Sequence, residues 1–191
     1  MNREQWINDL ADQLASTFQE NGYTVPANIR YTVGWCTRGN KPSLKSGTTL
    51  GQCLFPENSK DNHHEIVISM SIDDPMRVAG ILTHEMIHAI VGLAAGHGKV
   101  IKRCATVMGL EGKMTATTEG DAFKQRLQPI LDKLGPYPHA SYELKGGKKT
   151  QSTRMIKAEC DQCGYTVRTS QKWIDVAIPT CPVHGSKMVV S

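Results

Sequence analysis

Residues 83–100, THEMIHAIVGLAAGHGKV, hold three of the chain's seven histidines and one carboxylate in a mostly apolar stretch. In a helix, His84 and His88 lie four apart on one face and can present two imidazoles to a single ion. Glu85 is turned about 100° from His84, placed to reach a water on that ion without ligating the ion itself. Catalytic zinc usually takes three protein ligands and keeps a fourth position for water. His97 is the economical third ligand, because Gly96 and Gly98 let the chain turn back over the His84/His88 face. Burying a carboxylate and two imidazoles in an apolar helix is costly without a partner such as a cation. The chemistry that fits is metal-assisted hydrolysis, with Glu85 as general base and zinc lowering the pKa of its water toward ~7.

A second cluster lies near the carboxyl end. Cys160-Asp-Gln-Cys163 and Cys181-Pro-Val-His184 are two ligand pairs separated by 17 residues, the spacing of a zinc ribbon with histidine in place of the last cysteine. Gly164 and Gly185 follow the pairs, as a tight knuckle around an ion requires. About 35 residues cannot hold themselves by core burial, so the metal must supply much of the folding energy. Two zinc ions are therefore expected, one catalytic and one structural. Cys36, Cys53 and Cys104 lack ligand spacing and read as core residues.

The elements that must position these groups follow from periodicity. Trp6, Leu10, Leu14 and Phe18 repeat at helical spacing over residues 2–20, and Asn21-Gly22 is a stop signal. Residues 29–36, 48–55 and 64–72 read as strands, and the turn-rich segments between them predict an antiparallel meander. The histidine-bearing helix opens at Asp74 as N-cap with Pro75 at its first position. It is expected to run to the break at Gly96. Further helices are predicted over Lys99–Met108 and about Glu119–Leu134. The chain then divides into a domain of residues 1–140, a polar linker of residues 141–155 and a ribbon of residues 156–191. The fold class is α+β.

Taken together these residues resemble the SprT-like family of zinc metalloproteases, which includes Spartan. HEMIHAIVGLAAGHGKVIK carries its H-E-x-x-H and the later histidine in a Gly-His-Gly segment, and CDQCGYTVRTSQKWIDVAIPTCPVHG resembles the zinc ribbon attached to many members. His184 departs from that ribbon's usual fourth cysteine. The metzincin pattern does not fit, since Val91 and Ala94 stand where it needs glycine and histidine. The resemblance implies a zincin-like domain with His84, His88 and His97 as zinc ligands, Glu85 as general base, and a peptidase engaged with protein substrates, often DNA-bound.

Charge points the same way. Residues 1–140 balance at 14 basic and 14 acidic residues, whereas residues 141–191 hold eight basic and four acidic ones. Arg154, Lys157, Arg168 and Lys172, with Tyr165 and Trp173 interleaved, suit gripping phosphates and stacking on bases of DNA; the two rings can instead be the ribbon's apolar filling. Such a tail also supports the alternative of a nucleic-acid-binding zinc-ribbon protein whose protease-like site is structural or silent. The retained Glu85 argues against silence, since ligation alone does not require it. A zinc hydrolase acting on another bond is a third class. No apolar run is long enough to span a membrane and the first residues lack a signal peptide's apolar core, so a cytoplasmic protein is expected.

Overall fold

The computed structural model describes residues 1–38, 41–42, 49–142 and 155–191, with only the backbone at 37–38 and 41–42. Contacts divide the chain into two units, residues 1–145 and 146–191. Among the described residues it is α+β, with five α-helices and four small sheets.

The helical repeat near the start becomes α1 (Arg3–Glu20), capped by the Asn2 side chain on the Gln5 amide. Its Trp6, Leu10, Leu14 and Phe18 are fully buried. Next come β1 (Ile29–Gly34), the short pair β2 (Thr37–Arg38) and β3 (Lys41–Pro42), then β4 (Gly51–Leu54) and β5 (His64–Ser69). The meander expected from the turn signals is not what forms. The sheet has the order β1-β5-β4: β5 pairs in parallel with β1, from Ile29↔His64 to Gly34↔Ser69, and antiparallel with β4. The physical reason is in the segments. A meander needs tight turns between successive strands, but residues 35–50 separate β1 from β4. The most apolar strand, with Ile66 and Ile68 fully buried, takes the centre.

The histidine-bearing helix α2 spans Pro75–Val91, and the Asp74 side chain accepts from the Arg77 amide as an N-cap should. Nearly every residue from Val78 to Ala89 is buried, so tertiary packing rather than a single apolar stripe holds it. It ends earlier than the sequence suggested. Gly92 adopts φ 82° directly after Val91, one 3₁₀ turn covers Leu93–Ala95, and Gly96 turns again at φ 49°. Two left-handed positions within five residues need glycine, and together they reverse the chain before α3 (Lys99–Met108).

A hairpin that periodicity did not reveal follows: β6 (Leu110–Lys113) and β7 (Ala116–Glu119). Then α4 (Asp121–Leu134) sends Phe123, Leu127 and Leu131 into the core. In the second unit, β8 (Ile156–Glu159) lies between β9 (Thr166–Thr169) and β10 (Val189–Val190), with the short α5 (Gln171–Val176) after β9. No described helix is long and apolar enough to cross a membrane.

Candidate metal centres

α2 and the turn after it bring the first cluster together. His84, His88 and His97 offer ring nitrogens that all lie within 4.8 Å of one another. The Nε2 atoms of His84 and His88 are 3.2 Å apart, and the His97 ring stacks on that of His84 with centroids 5.9 Å apart. His84 is buried, His88 half-buried and His97 exposed. Burial pushes the first two well below the ordinary histidine value, each to about 4, and neighbouring imidazoles push the same way. Both rings are therefore neutral at pH 7, with lone pairs free for an ion. A converging set of imidazole nitrogens is a donor set that suits zinc-type cations. The residues fit the group.

Glu85 is 7% exposed and burial raises its carboxyl to about 8, while a hydrogen bond from the Cys53 amide opposes the rise. Beside a cation the same carboxyl titrates lower. The close approach of β4 to this carboxylate is possible because residue 51 is glycine. A Cβ there would sit 2.4 Å from Ile81 Cγ2 and 2.7 Å from Glu85 Oε1. The three histidines and Glu85 line one cavity of about 450 Å³, together with Thr49–Cys53 and with Thr115–Thr117 of the hairpin.

Several contributors to this site escaped the sequence reading. Thr117 Oγ1 lies 3.3 Å from His84 Nδ1, and Arg77, seven residues before His84 on α2, also lines the cavity. Cys53, expected in the core, is only half-buried and borders the cavity, whereas Cys36 and Cys104 are buried as expected. Nothing in their local pattern marks these residues, because β7 meets α2 only through the tertiary fold. Tyr137 does not reach the cavity: its ring packs edge-on against Trp6 in the core.

The second cluster assembles as the spacing predicts. Cys160, Cys163, Cys181 and His184 present ligand atoms within 4.8 Å of one another. His184 does so through Nδ1, 3.6 Å from Cys181 Sγ and 3.8 Å from Cys160 Sγ. The two knuckles repeat one hydrogen-bond pattern. The Cys160 amide donates to the Tyr165 carbonyl and the Gly164 amide to the Cys160 carbonyl; Cys181, Ser186 and Gly185 do the same. Gly164 and Gly185 adopt φ 73° and 66° to make these turns. Backbone amides, that of Gln162 foremost, draw the Cys160 thiol down to about 6, which prepares a thiolate for an ion.

Of the residues expected to contact DNA, Lys157, Arg168, Lys172 and Trp173 lie in the second unit. Lys157 and Arg168 stand opposite each other in the β8–β9 register, and Lys157 pairs with Glu159. Trp173 is 58% exposed and Tyr165 45%, so neither fills the ribbon core, which is Ala158, Cys160, Cys181 and Met188. Lys172 Nζ lies 5.3 Å from the Trp173 ring centroid. Arg154 lies outside the described residues. Residues 155–191 carry four basic and three acidic side chains, so most of the tail's excess charge belongs to residues 141–154.

Compared with known proteins, the chain matches no family model, no curated protein and no solved structure.

Proposed function

We propose that this protein is a zinc-dependent endopeptidase of the SprT-like, zincin-like kind, directed by its zinc ribbon to DNA-associated protein substrates. One observation carries the reading. Three imidazoles converge within 4.8 Å, and a buried carboxyl on the helix that carries two of them shares their cavity. A structural metal site has no use for that carboxyl, and a silent one would not keep its desolvation cost.

His84, His88 and His97 would hold the zinc, which when bound would supply Lewis acidity and lower the pKa of a water. The chain's own groups do the rest. An extended peptide bound along the cavity that β4 and the hairpin line would bring its scissile carbonyl to the imidazoles. Glu85 accepts a proton on its carboxylate and returns it to the leaving amine nitrogen. The Cys53 amide holds that carboxylate in place. Burial raises the carboxyl above the ~4.3 of an exposed glutamate and a neighbouring cation would lower it again, which together would bring a carboxylate able to take up a proton close to neutral pH. Ile81 contributes an apolar side chain to the lining of the same cavity.

The DNA part of the reading rests on eight basic against four acidic residues in 141–191 and on two exposed aromatic rings beside Arg168 and Lys172. The test is direct. Metal analysis of the full chain should find two zinc ions, and casein or self-cleavage should require them and increase with single-stranded DNA. Fully loaded protein that cleaves neither, with or without DNA, overturns the peptidase reading.

A further inference from the structure

The β6–β7 hairpin meets α2 along a stripe fixed by two periodicities. Residues 77, 80 and 84 recur at i, i+3 and i+7 on one face of the helix, and residues 117 and 119 alternate onto one face of the strand. Each helix position has a specific partner. Arg77 Nη1 donates to the Thr117 carbonyl at 2.9 Å and to Glu119 Oε1 at 2.7 Å. Gly80 leaves room for the Glu119 side chain, since a Cβ there would lie 2.0 Å from Oε1. His84 meets Thr117 through Nδ1 and the hydroxyl, 3.3 Å apart, with Thr117 only 4% exposed.

We infer that Thr117 is a positioning residue for the metal centre: its hydroxyl accepts the His84 Nδ1 proton, which leaves Nε2 as the atom offered to the ion. The Arg77–Glu119 pair clamps the hairpin that carries it. This rests on the reading of His84 as a metal ligand. The ring orientation supports it independently of any ion, because Nε2 is the atom that faces His88 Nε2 at 3.2 Å while Nδ1 faces the hairpin. If the proton sat on Nε2 instead, it would point into the space shared by the three ring nitrogens. Histidine ligands commonly fix their tautomer through such an outer hydrogen bond, and losing one typically weakens metal affinity ~10–100-fold. The clamp is well chosen for the task. Arg77 is 28% exposed and Glu119 13%, so their pair is shielded from the water and salt that weaken surface ion pairs.

The test uses the full-length chain and zinc, with chelator competition resolving the imidazole site from the thiolate site. Thr117→Val keeps the shape and removes the acceptor. It should weaken zinc at the imidazole site ~10–100-fold and leave the thiolate site unchanged, whereas Thr117→Ser should restore near wild-type affinity. Nitrogen-15 spectra of zinc-loaded wild type should show His84 protonated at Nδ1. Wild-type zinc affinity in Thr117→Val overturns the inference. So does a His84 proton at Nε2 in the wild type, whether or not the variants fold. Wild type that takes no zinc at the imidazole site would instead overturn the underlying metal assignment, a separate result.

Discussion

Among the described residues, the three imidazoles of the amino-terminal unit hang from a helix and turn anchored to a core of 24 buried residues, whereas two of the four buried core residues in the carboxy-terminal unit are themselves candidate ligands. In the first unit packing places the ligands. In the second the ligands must supply what packing cannot. Electrostatics divide in the same way. Burial drives His84 and His88 down and Glu85 up, each toward its neutral form, while exposed knuckle amides favour the Cys160 thiolate. A fold that stands without its ion can leave a coordination position open for chemistry. A fold that depends on its ion is better served by filling all four.

The sharpest break of this comparison is removal of a thiolate. Cys160→Ser should unfold residues 155–191 and lower zinc to about one per chain, because zinc contributes ~10–16 kcal/mol in small structural modules and Ala158 and Met188 are too little core to replace it. Strong chelation should do the same while the amino-terminal unit keeps its melting transition. Limited proteolysis reads both. A ribbon that resists protease without metal would mean that its exposed apolar residues hold it together.

Glu85→Gln probes the open site. It should leave two zinc ions bound and reduce casein cleavage ~10²–10⁴-fold, the usual contribution of a positioned general base. Loss of one zinc in this variant would make Glu85 a ligand. Wild-type turnover would remove it from the mechanism.

A smaller effect separates the units by pH once the protein is chelated. Glu85 is raised from 4.5 to about 8, so its stabilising contribution is complete below ~4.5 and is lost as pH rises through 8. His84 and His88 are lowered from 6.5 to about 4, so theirs is complete above ~6.5 and is lost as pH falls through 4. Two histidines outweigh one carboxyl between those limits. The melting temperature of the amino-terminal unit should therefore climb to a maximum near ~6.5 and decline toward pH 8. Glu85→Gln should remove the decline. If the decline persists in that variant, another group causes it.

Much of this arrangement was legible in the sequence. His84, His88 and His97 came from helical spacing and a glycine break, and the thiolate cluster came from two short pairs, because local geometry alone fixes which atoms converge. The Asp74 cap and the α1 core face were likewise local. The sheet order was not, since turn residues mark where a strand ends but not which strand it then joins. Thr117 and Arg77 were illegible for a related reason: a β-strand and a helix 40 residues apart meet through packing that no single-segment pattern encodes. The tail's charge misled in the opposite direction. Counting over residues 141–191 merged a basic linker with a nearly neutral ribbon.

That last distinction leads to the smallest predicted effects, on DNA. If the ribbon's surface contributes by stacking, Trp173→Ala should weaken single-stranded DNA binding by ~1–3 kcal/mol with little change in salt dependence. Arg168→Ala should cost less in affinity but lower the log–log salt slope by about 0.7, one phosphate on a single strand. The ribbon itself holds four basic and three acidic side chains, and three thiolates on one zinc add a further net negative charge, so few phosphates can be neutralised there. Neutralising Lys145, Lys148, Lys149 and Arg154 together should then reduce the slope more than any ribbon variant. Fluorescence anisotropy across a salt series measures each slope. A slope that collapses with Arg168→Ala but survives the four linker changes would place the phosphate grip on the β8–β9 face, where Lys157 and Arg168 stand side by side. A slope near zero in the wild type would remove DNA from the reading and leave the exposed rings of the ribbon to contact protein.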